Sequence, residues 1–420
     1  MVVAEKGIPY EVVKPNTKSS GFQNTEVGII PSDWGVDKIK NLVLITTGNK
    51  NTQDKVDDGI YHFFVRSQII ERIDTYSFDG EAVLTAGDGV GTGKVFHYIN
   101  GKFDFHQRVY KISGFNKKLD GYYFYLYFSN SFYERIMQMT AKSSVDSVRR
   151  EMIADMVIPV PTLDEQRAIA KALSDVDALI TSLDALIAKK RAIKQGTMQQ
   201  LLTGKKRLPN FEGEWEIKTL GDVLERIVGG GTPDRSNQDF WNGYIPWVTV
   251  KDFATFNPNQ AQEYITLAGL KNSASNLIPK KTLITSTRMA IGNAVVYNVD
   301  VSINQDLKAL FCKKELFIDY LYYWFQFRKS FIESLGSGST VMGISLNELK
   351  RIEFDTPCFK EQQAIAKILS DMDADITALE QKRDKYKAVK QGMMQQLLTG
   401  KIRLVGTSLK STPPSNTPLV

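Results

Sequence analysis

Cysteine, histidine and long apolar runs are scarce in this chain, and each scarcity closes off a class of function. The 420 residues hold two cysteines and three histidines. Cys312 and Cys358 stand far apart, with no CxxC and no histidine partner, so neither a disulfide framework nor a zinc site is implied. Both are expected to be buried, inert thiols. His62, His97 and His106 all fall in the first half without ligand spacing, which leaves no metal site to assign. No run approaches the roughly 20 apolar residues that cross a bilayer, and Met1 to Tyr10 lacks a basic stretch followed by an apolar one. A cytoplasmic chain with no membrane partner is the expectation.

Catalytic signatures are also missing. The methyl-transfer pattern of Asn or Asp, two prolines and an aromatic does not occur; Asn257-Pro258-Asn259 misses it. The nearest approach to a P-loop, Asp88-Gly89-Val90-Gly91-Thr92-Gly93-Lys94-Val95, has Asp where the first Gly belongs and Val where a magnesium-binding hydroxyl belongs. It reads as a flexible loop, with a phosphate-approaching loop as the minority reading. Pro233-Asp234 followed by Asp306-Leu307-Lys308 matches a nuclease pattern only at chance level. No catalytic residue is assigned.

What is present is ordinary globular composition, 42% hydrophobic, 10% aromatic and 24% charged, in a chain long enough for two or more domains. The 53 basic against 47 acidic residues give +6, which permits a polyanionic partner without demanding one.

The organising feature is a repeat. Glu165 to Leu208 and Glu361 to Leu404 align without a gap, identical at about two positions in three. Upstream the match fades: Asp33-Trp34-Gly35-Val36 answers Glu214-Trp215-Glu216-Ile217, and His106-Gln107 answers Asn304-Gln305. A duplicated unit has kept its downstream part and changed its upstream part.

Each conserved segment is helical by period. Ile169, Leu173, Val176, Ile180, Leu183 and Ile187 step by four and three, the heptad spacing of a coiled coil. Ile365, Leu369, Met372, Ile376 and Leu379 repeat the seam, which breaks at Arg383 and resumes at Tyr386. Acid residues fill the first half of each helix (Asp175, Asp177, Asp184; Asp371, Asp373, Asp375) and basic ones the second (Lys189, Lys190, Arg191, Lys194; Lys382, Arg383, Lys385, Lys387, Lys390). Antiparallel pairing within one chain sets acid beside base and suits both helix dipoles. A homodimeric coiled coil between two chains is the alternative. Gly204 and Gly400 fit C-terminal caps.

Upstream of each helix, short β-rich runs (His62 to Val65, Ala82 to Thr85, Lys94 to Tyr98, Val109 to Ile112; Ile245 to Val250, Thr282 to Ser286, Ala294 to Tyr297, Ala309 to Phe311) precede a helix, Tyr122 to Met139 or Ile318 to Ser334. The fold class is therefore α+β, two similar globular domains separated by two long conserved helices in a pseudo-two-fold repeat. The expected boundaries are an N-terminal extension over 1–21, a first domain over 22–162, a first helical region over 163–208, a second domain over 209–358, a second helical region over 359–404, and a disordered Ser/Thr/Pro-rich tail over 405–420.

The doubled signature, EQxAIAxxLSDxDAxI followed by KQGxMQQLLTGKxRL downstream of a diverged domain that begins near Trp34 or Trp215, resembles the specificity subunit of type I restriction-modification enzymes. The resemblance runs from about Val27 to Leu404. It implies a DNA reader without catalysis of its own, part of a system that defends against foreign DNA. Each diverged domain would be a target-recognition domain for one half of an asymmetric bipartite site, and the helix pair would set the spacer. The helices would dock two modification subunits that bring S-adenosylmethionine, and through them restriction subunits that use ATP and magnesium.

The candidate DNA-binding residues are polar or basic positions on expected loops: Arg66 with Lys251, Lys94 with Arg288, Gln107 with Gln305, and Ser143 and Ser144 with Ser339 and Thr340. Arg108, Arg149 and Arg150 are added in the first domain, opposite Asp306, Ser345 and Leu346. Arg and Lys can grip guanine or phosphate, Gln can bridge adenine, and hydroxyls take phosphate oxygens. Gln107 and Gln305 can equally buttress a turn. The rival readings are a free-standing DNA methylase or nuclease with a dimerising coiled coil, and a structural spacer that binds protein at both ends.

Overall fold

The computed structural model describes residues 21–139, 147–336 and 343–404. Ser143, Ser144, Ser339 and Thr340, the extension up to residue 20 and the tail lie outside the described residues. The chain divides into two compact units, residues 1–182 with 382–420, and residues 183–381. This division cuts each long helix near its middle, so each unit holds one β-rich domain, the first half of one helix and the second half of the other.

In the first unit a six-stranded sheet runs in the order Leu44–Thr47, Val109–Ser113, Phe78–Ala86, Phe96–Phe105, Tyr61–Phe64, Glu71–Ile73. All neighbours are antiparallel except Tyr61–Phe64 with Phe96–Phe105. Helix α1 (Gly121–Met139) buries Tyr123, Phe124, Phe128, Phe132 and Ile136 in the core beside the sheet.

The second unit repeats this topology in two four-stranded sheets. One runs Leu224–Gly229, Leu307–Cys312, Leu283–Ser286, Ala294–Val296, and the other Glu263–Ile265, Trp241–Val248, Val301–Ile303, Leu277–Ile278. The split has a local cause. Where the first unit continues its long ladder through the facing glycines Gly80 and Gly101, the second has Pro279, which lacks an N–H, and Lys281 at φ 63°.

Both units join entry to exit by a short antiparallel ladder, Gly35–Lys38 with Val157–Val160 and Glu216–Thr219 with Glu353–Thr356. The chain then passes into α2 (Leu163–Leu201) in the first case and α4 (Phe359–Leu397) in the second, each 39 residues long. The second domain's own helix, α3 (Ile318–Ser334), matches the predicted span.

The helix halves pair antiparallel inside each unit. In the first, Lys390 in the basic half of α4 meets Asp177 in the acidic half of α2 at 2.6 Å. In the second the roles exchange: Lys194 of α2 meets Asp373 of α4, and Lys190 meets Asp375 at 3.0 Å. Ile169, Leu173, Leu183, Ile187, Ile365, Leu369 and Ile376 are buried, while Val176, Ile180, Met372, Leu379 and Tyr386 are half-buried. The intramolecular antiparallel arrangement thus follows the charge pattern of the sequence.

One expectation fails. Cys312 is half-buried and its thiol is pushed up to about 12 by that burial, but Cys358 is exposed. It occupies the turn before α4, where its carbonyl accepts the amides of Glu361 and Gln362 and the next residues, Phe359 and Lys360, are exposed as well.

Candidate nucleic-acid interface

The residues that the repeat keeps identical are found holding each unit together. Glu165 is 2% exposed and accepts Trp34 Nε1 at 3.0 Å and Arg403 Nε and Nη2 at 2.6 and 2.8 Å. Arg403 also forks onto Asp33, with both bonds at 2.9 Å. In the second unit Glu361, fully buried, accepts Trp215 Nε1 at 3.1 Å and Arg207 Nε and Nη2 at 2.7 Å each. The glutamate of one repeat is therefore clamped by the arginine that ends the other. Gln166 and Gln362 make a second matched set, each accepting the amide at the start of α1 or α3 and donating to carbonyls on either side.

Chemistry that differs between the units lies in the loops at the strand ends. In the first unit the carboxylate of Asp88 takes Arg66 Nη1 at 2.8 Å and also Arg108 Nη1. Burial raises the Asp88 carboxyl, but the hydrogen bonds and charges of the two arginines outweigh it and hold it below its usual range. Half of the Arg108 side chain and more stays open to solvent, so the pair presents positive charge outward. His106 lies underneath, its Nδ1 accepting the Arg108 amide at 3.0 Å; burial and the neighbouring Arg66 charge lower its basicity.

Backbone bonds fix which residues of the two units correspond. Gly87 N donates to Arg108 O at 2.8 Å and Thr287 N to Asp306 O at 3.0 Å. Val148 N donates to Gly87 O at 2.7 Å and Ile344 N to Thr287 O at 3.0 Å. Asp88 therefore stands opposite Arg288, and Arg108 opposite Asp306: the same ion pair with its charges exchanged, Arg288 lying 3.9 Å from Asp306.

This alters two of the expected pairings. Arg288 answers Asp88 and not Lys94, because Gly87 and Thr287 make the same backbone bond and each is followed directly by the charged residue. Phe64 O and Val248 O accept the amides of His106 and Asn304, so Arg66 answers Val250 and Lys251 lies one position further along. The alignment holds at Arg149 and Ser345, both N-caps of a short helix, Arg150–Ala154 and Leu346–Arg351.

Lys94 and Lys251 are exposed, Lys94 lying over the Tyr133 ring at 5.1 Å. Gln107 Nε2 donates to Asn51 Oδ1 at 2.6 Å, and Gln305 Oε1 accepts Thr232 Oγ1 at 2.7 Å, so each ties down the neighbouring loop of its own unit. Both remain exposed on their outer side. In the glycine-rich run, Thr92 N and Oγ1 bond to Gly89 O, and Lys94 N and Val95 N bond to Gly91 O. Three of its amides, those of Thr92, Lys94 and Val95, are used within the turn, and Asp88 adds a negative charge, an arrangement opposed to cradling phosphate. Sequence reasoning missed Asp88, whose role depends on arginines 22 and 20 positions away. That the EQ and KxRL signatures meet is likewise not visible in the sequence, because each contact joins opposite repeats.

No described helix is long and apolar enough to cross a membrane. Residues 31–193 and 212–388 match the family described as the type I restriction modification DNA specificity domain, once in each half. A putative type I restriction enzyme specificity subunit of Methanocaldococcus jannaschii is 28% identical over 425 residues, covering 92% of this chain and 98% of the relative. A type I restriction enzyme specificity subunit of Escherichia coli is 30% identical over 224 residues, 51% of this chain and 55% of the relative. In fold, the S subunit of a type I restriction-modification system from M. genitalium superposes with a TM-score of 0.60 at 16% identity, over 87% of this chain and 96% of that one. A chain solved in work on complex assembly and conformational transition of the type I system gives 0.55 at 17% identity, over 89% and 99%. With both halves matched and each half closed by the same glutamate, tryptophan and arginine, the chain belongs to the type I restriction-modification DNA specificity family.

Proposed function

We propose that this chain is the DNA-reading, non-catalytic subunit of a type I restriction-modification complex, each unit reading one half of an asymmetric bipartite site. The observation that carries this is the reversed ion pair. Two units of one topology hold Asp88 with Arg66 and Arg108 in one case and Arg288 with Asp306 in the other, at corresponding loop positions. Base edges in the major groove offer different donor and acceptor patterns, so unlike loops select unlike half-sites.

Arg66, Arg108, Lys94, Arg149, Lys251 and Arg288 are the cations we assign to phosphate and base contacts, with Gln107 and Gln305 bracing the loops that carry them. Ser143, Ser144, Ser339 and Thr340 stay candidates for phosphate on residue type alone. Two modification subunits dock on the helical regions and supply S-adenosylmethionine, and restriction subunits joined through them use ATP and magnesium; this chain holds none of these.

Each long helix begins in one unit and ends in the other, so its length sets the spacer. Inserting four residues near Ala185 adds about 6 Å of helix. Sequencing the methylated motifs of a host that carries the variant and its modification subunit is expected to give both half-sites unchanged with an altered gap. Changed half-sites with an unchanged gap would remove the spacer role.

A further inference from the structure

Val90 is wholly exposed, at 102%, on the turn that follows Asp88. Gly89 before it sits at φ 81°, and Arg66 Nη1 lies 3.9 Å from where a Gly89 side chain would begin. An apolar side chain is thus held out into solvent beside two guanidinium groups. The second unit does the same by another route: Met289, directly after Arg288, is 61% exposed and adopts φ 61°, a conformation that disfavours a long side chain. The flanks of both turns are anchored. Gly93 packs against Ile136 and Tyr133 and Gly292 against Ile332, while Thr92 and Ile291 point into the protein.

Scattered surface apolar residues carry no message. Here two occur in corresponding turns, Val90 two residues after Asp88 and Met289 one residue after Arg288, on the loops whose charges differ between the units, and Met289 does so at the expense of backbone strain. The chemical group that an apolar tip flanked by cations meets on a duplex is the thymine 5-methyl, the one apolar feature of the major-groove edge. Val90 is too short to wedge between base pairs, a task for larger side chains.

Resting on the DNA-reading role, we propose that Val90 and Met289 are specificity-determining residues. Each contacts the methyl group of a thymine in the half-site read by its own unit, with the adjacent arginines on phosphate or guanine.

The test uses the full chain assembled with its modification subunits and duplexes bearing the methylated bipartite motif, with each thymine of one half-site replaced in turn by uracil. For the wild type, one uracil in the first half-site is expected to weaken binding about fourfold, the worth of one buried methyl group. In Val90→Ala that uracil penalty disappears while penalties in the second half-site persist; Met289→Ala gives the converse. A first half-site without thymine, or a uracil penalty that Val90→Ala leaves intact, overturns the inference while the DNA-reading role stands. A wild-type complex that retards no duplex sequence-specifically overturns both.

Discussion

Glu165→Gln isolates the clamp that closes the first unit. The wild-type carboxylate is all but sealed from water and serves three donors, two from Arg403 and one from Trp34. Glutamine keeps the shape but offers one acceptor oxygen and turns an amide N–H₂ toward a guanidinium. Removing one partner of a buried ion pair costs about 3–5 kcal/mol, because the remaining charge is left without its counter-ion. The fork from Arg403 onto Asp33, both bonds at 2.9 Å and partly in water, recovers a little, so about 3 kcal/mol is expected. For a unit of this size that lowers the melting midpoint by roughly 6–12 °C.

The assay is hydrogen exchange read along the chain during mild thermal or urea unfolding. Amides of the first unit, including the 382–404 stretch, should exchange faster while those of 183–381 keep wild-type protection. Glu361→Gln is the internal control in the second unit. There Arg207 turns its third nitrogen to the Gly213 carbonyl, at 2.6 Å, and among the described residues it bonds to no carboxylate besides Glu361. Its loss should be at least as large. Arg403→Met in the Glu165→Gln background completes a double-mutant cycle. Additive effects, or a Glu165→Gln penalty under about 0.5 kcal/mol, would refute the claim that the conserved glutamate and arginine act as one unit.

Two further outcomes follow from the loops and the histidines. Arg108→Ala should weaken binding by about 1–3 kcal/mol for duplexes with an intact first half-site and leave discrimination at the second unchanged, checked by competition with duplexes scrambled in one half. Burial holds the His97 imidazole below its ordinary value of 6.5, and burial and the Arg66 charge do the same to His106. The unfolded chain binds these protons more readily. The stabilisation is therefore fully present above about pH 6.5 and lost as the pH falls through the lowered folded values. The second unit has no histidine. Acidification from pH 7.5 to 5.5 should accordingly weaken amide protection in the first unit, and His97→Gln should blunt the effect; equal sensitivity in both units would refute it.

The primary sequence alone determined the repeat, both long helices, their antiparallel sense and the α+β class. These depend on local, periodic quantities: heptad spacing and the separation of acid from base along a helix are visible in a single string. It also carried the family, since the EQ and MQQLLTGKxRL signatures occur twice. What only the tertiary structure decided is which conserved residues meet. Trp34, Glu165 and Arg403 are distant in the chain, and periodicity holds no information on a contact made when opposite repeats cross. The loops show the same limit. Residue type alone set Arg288 beside Lys94, and its true counterpart Asp88, with the exchanged ion pair, became visible only through backbone hydrogen bonds. Side chains that serve helices are specified by spacing along the chain; side chains that read a partner are specified by where strands end in space.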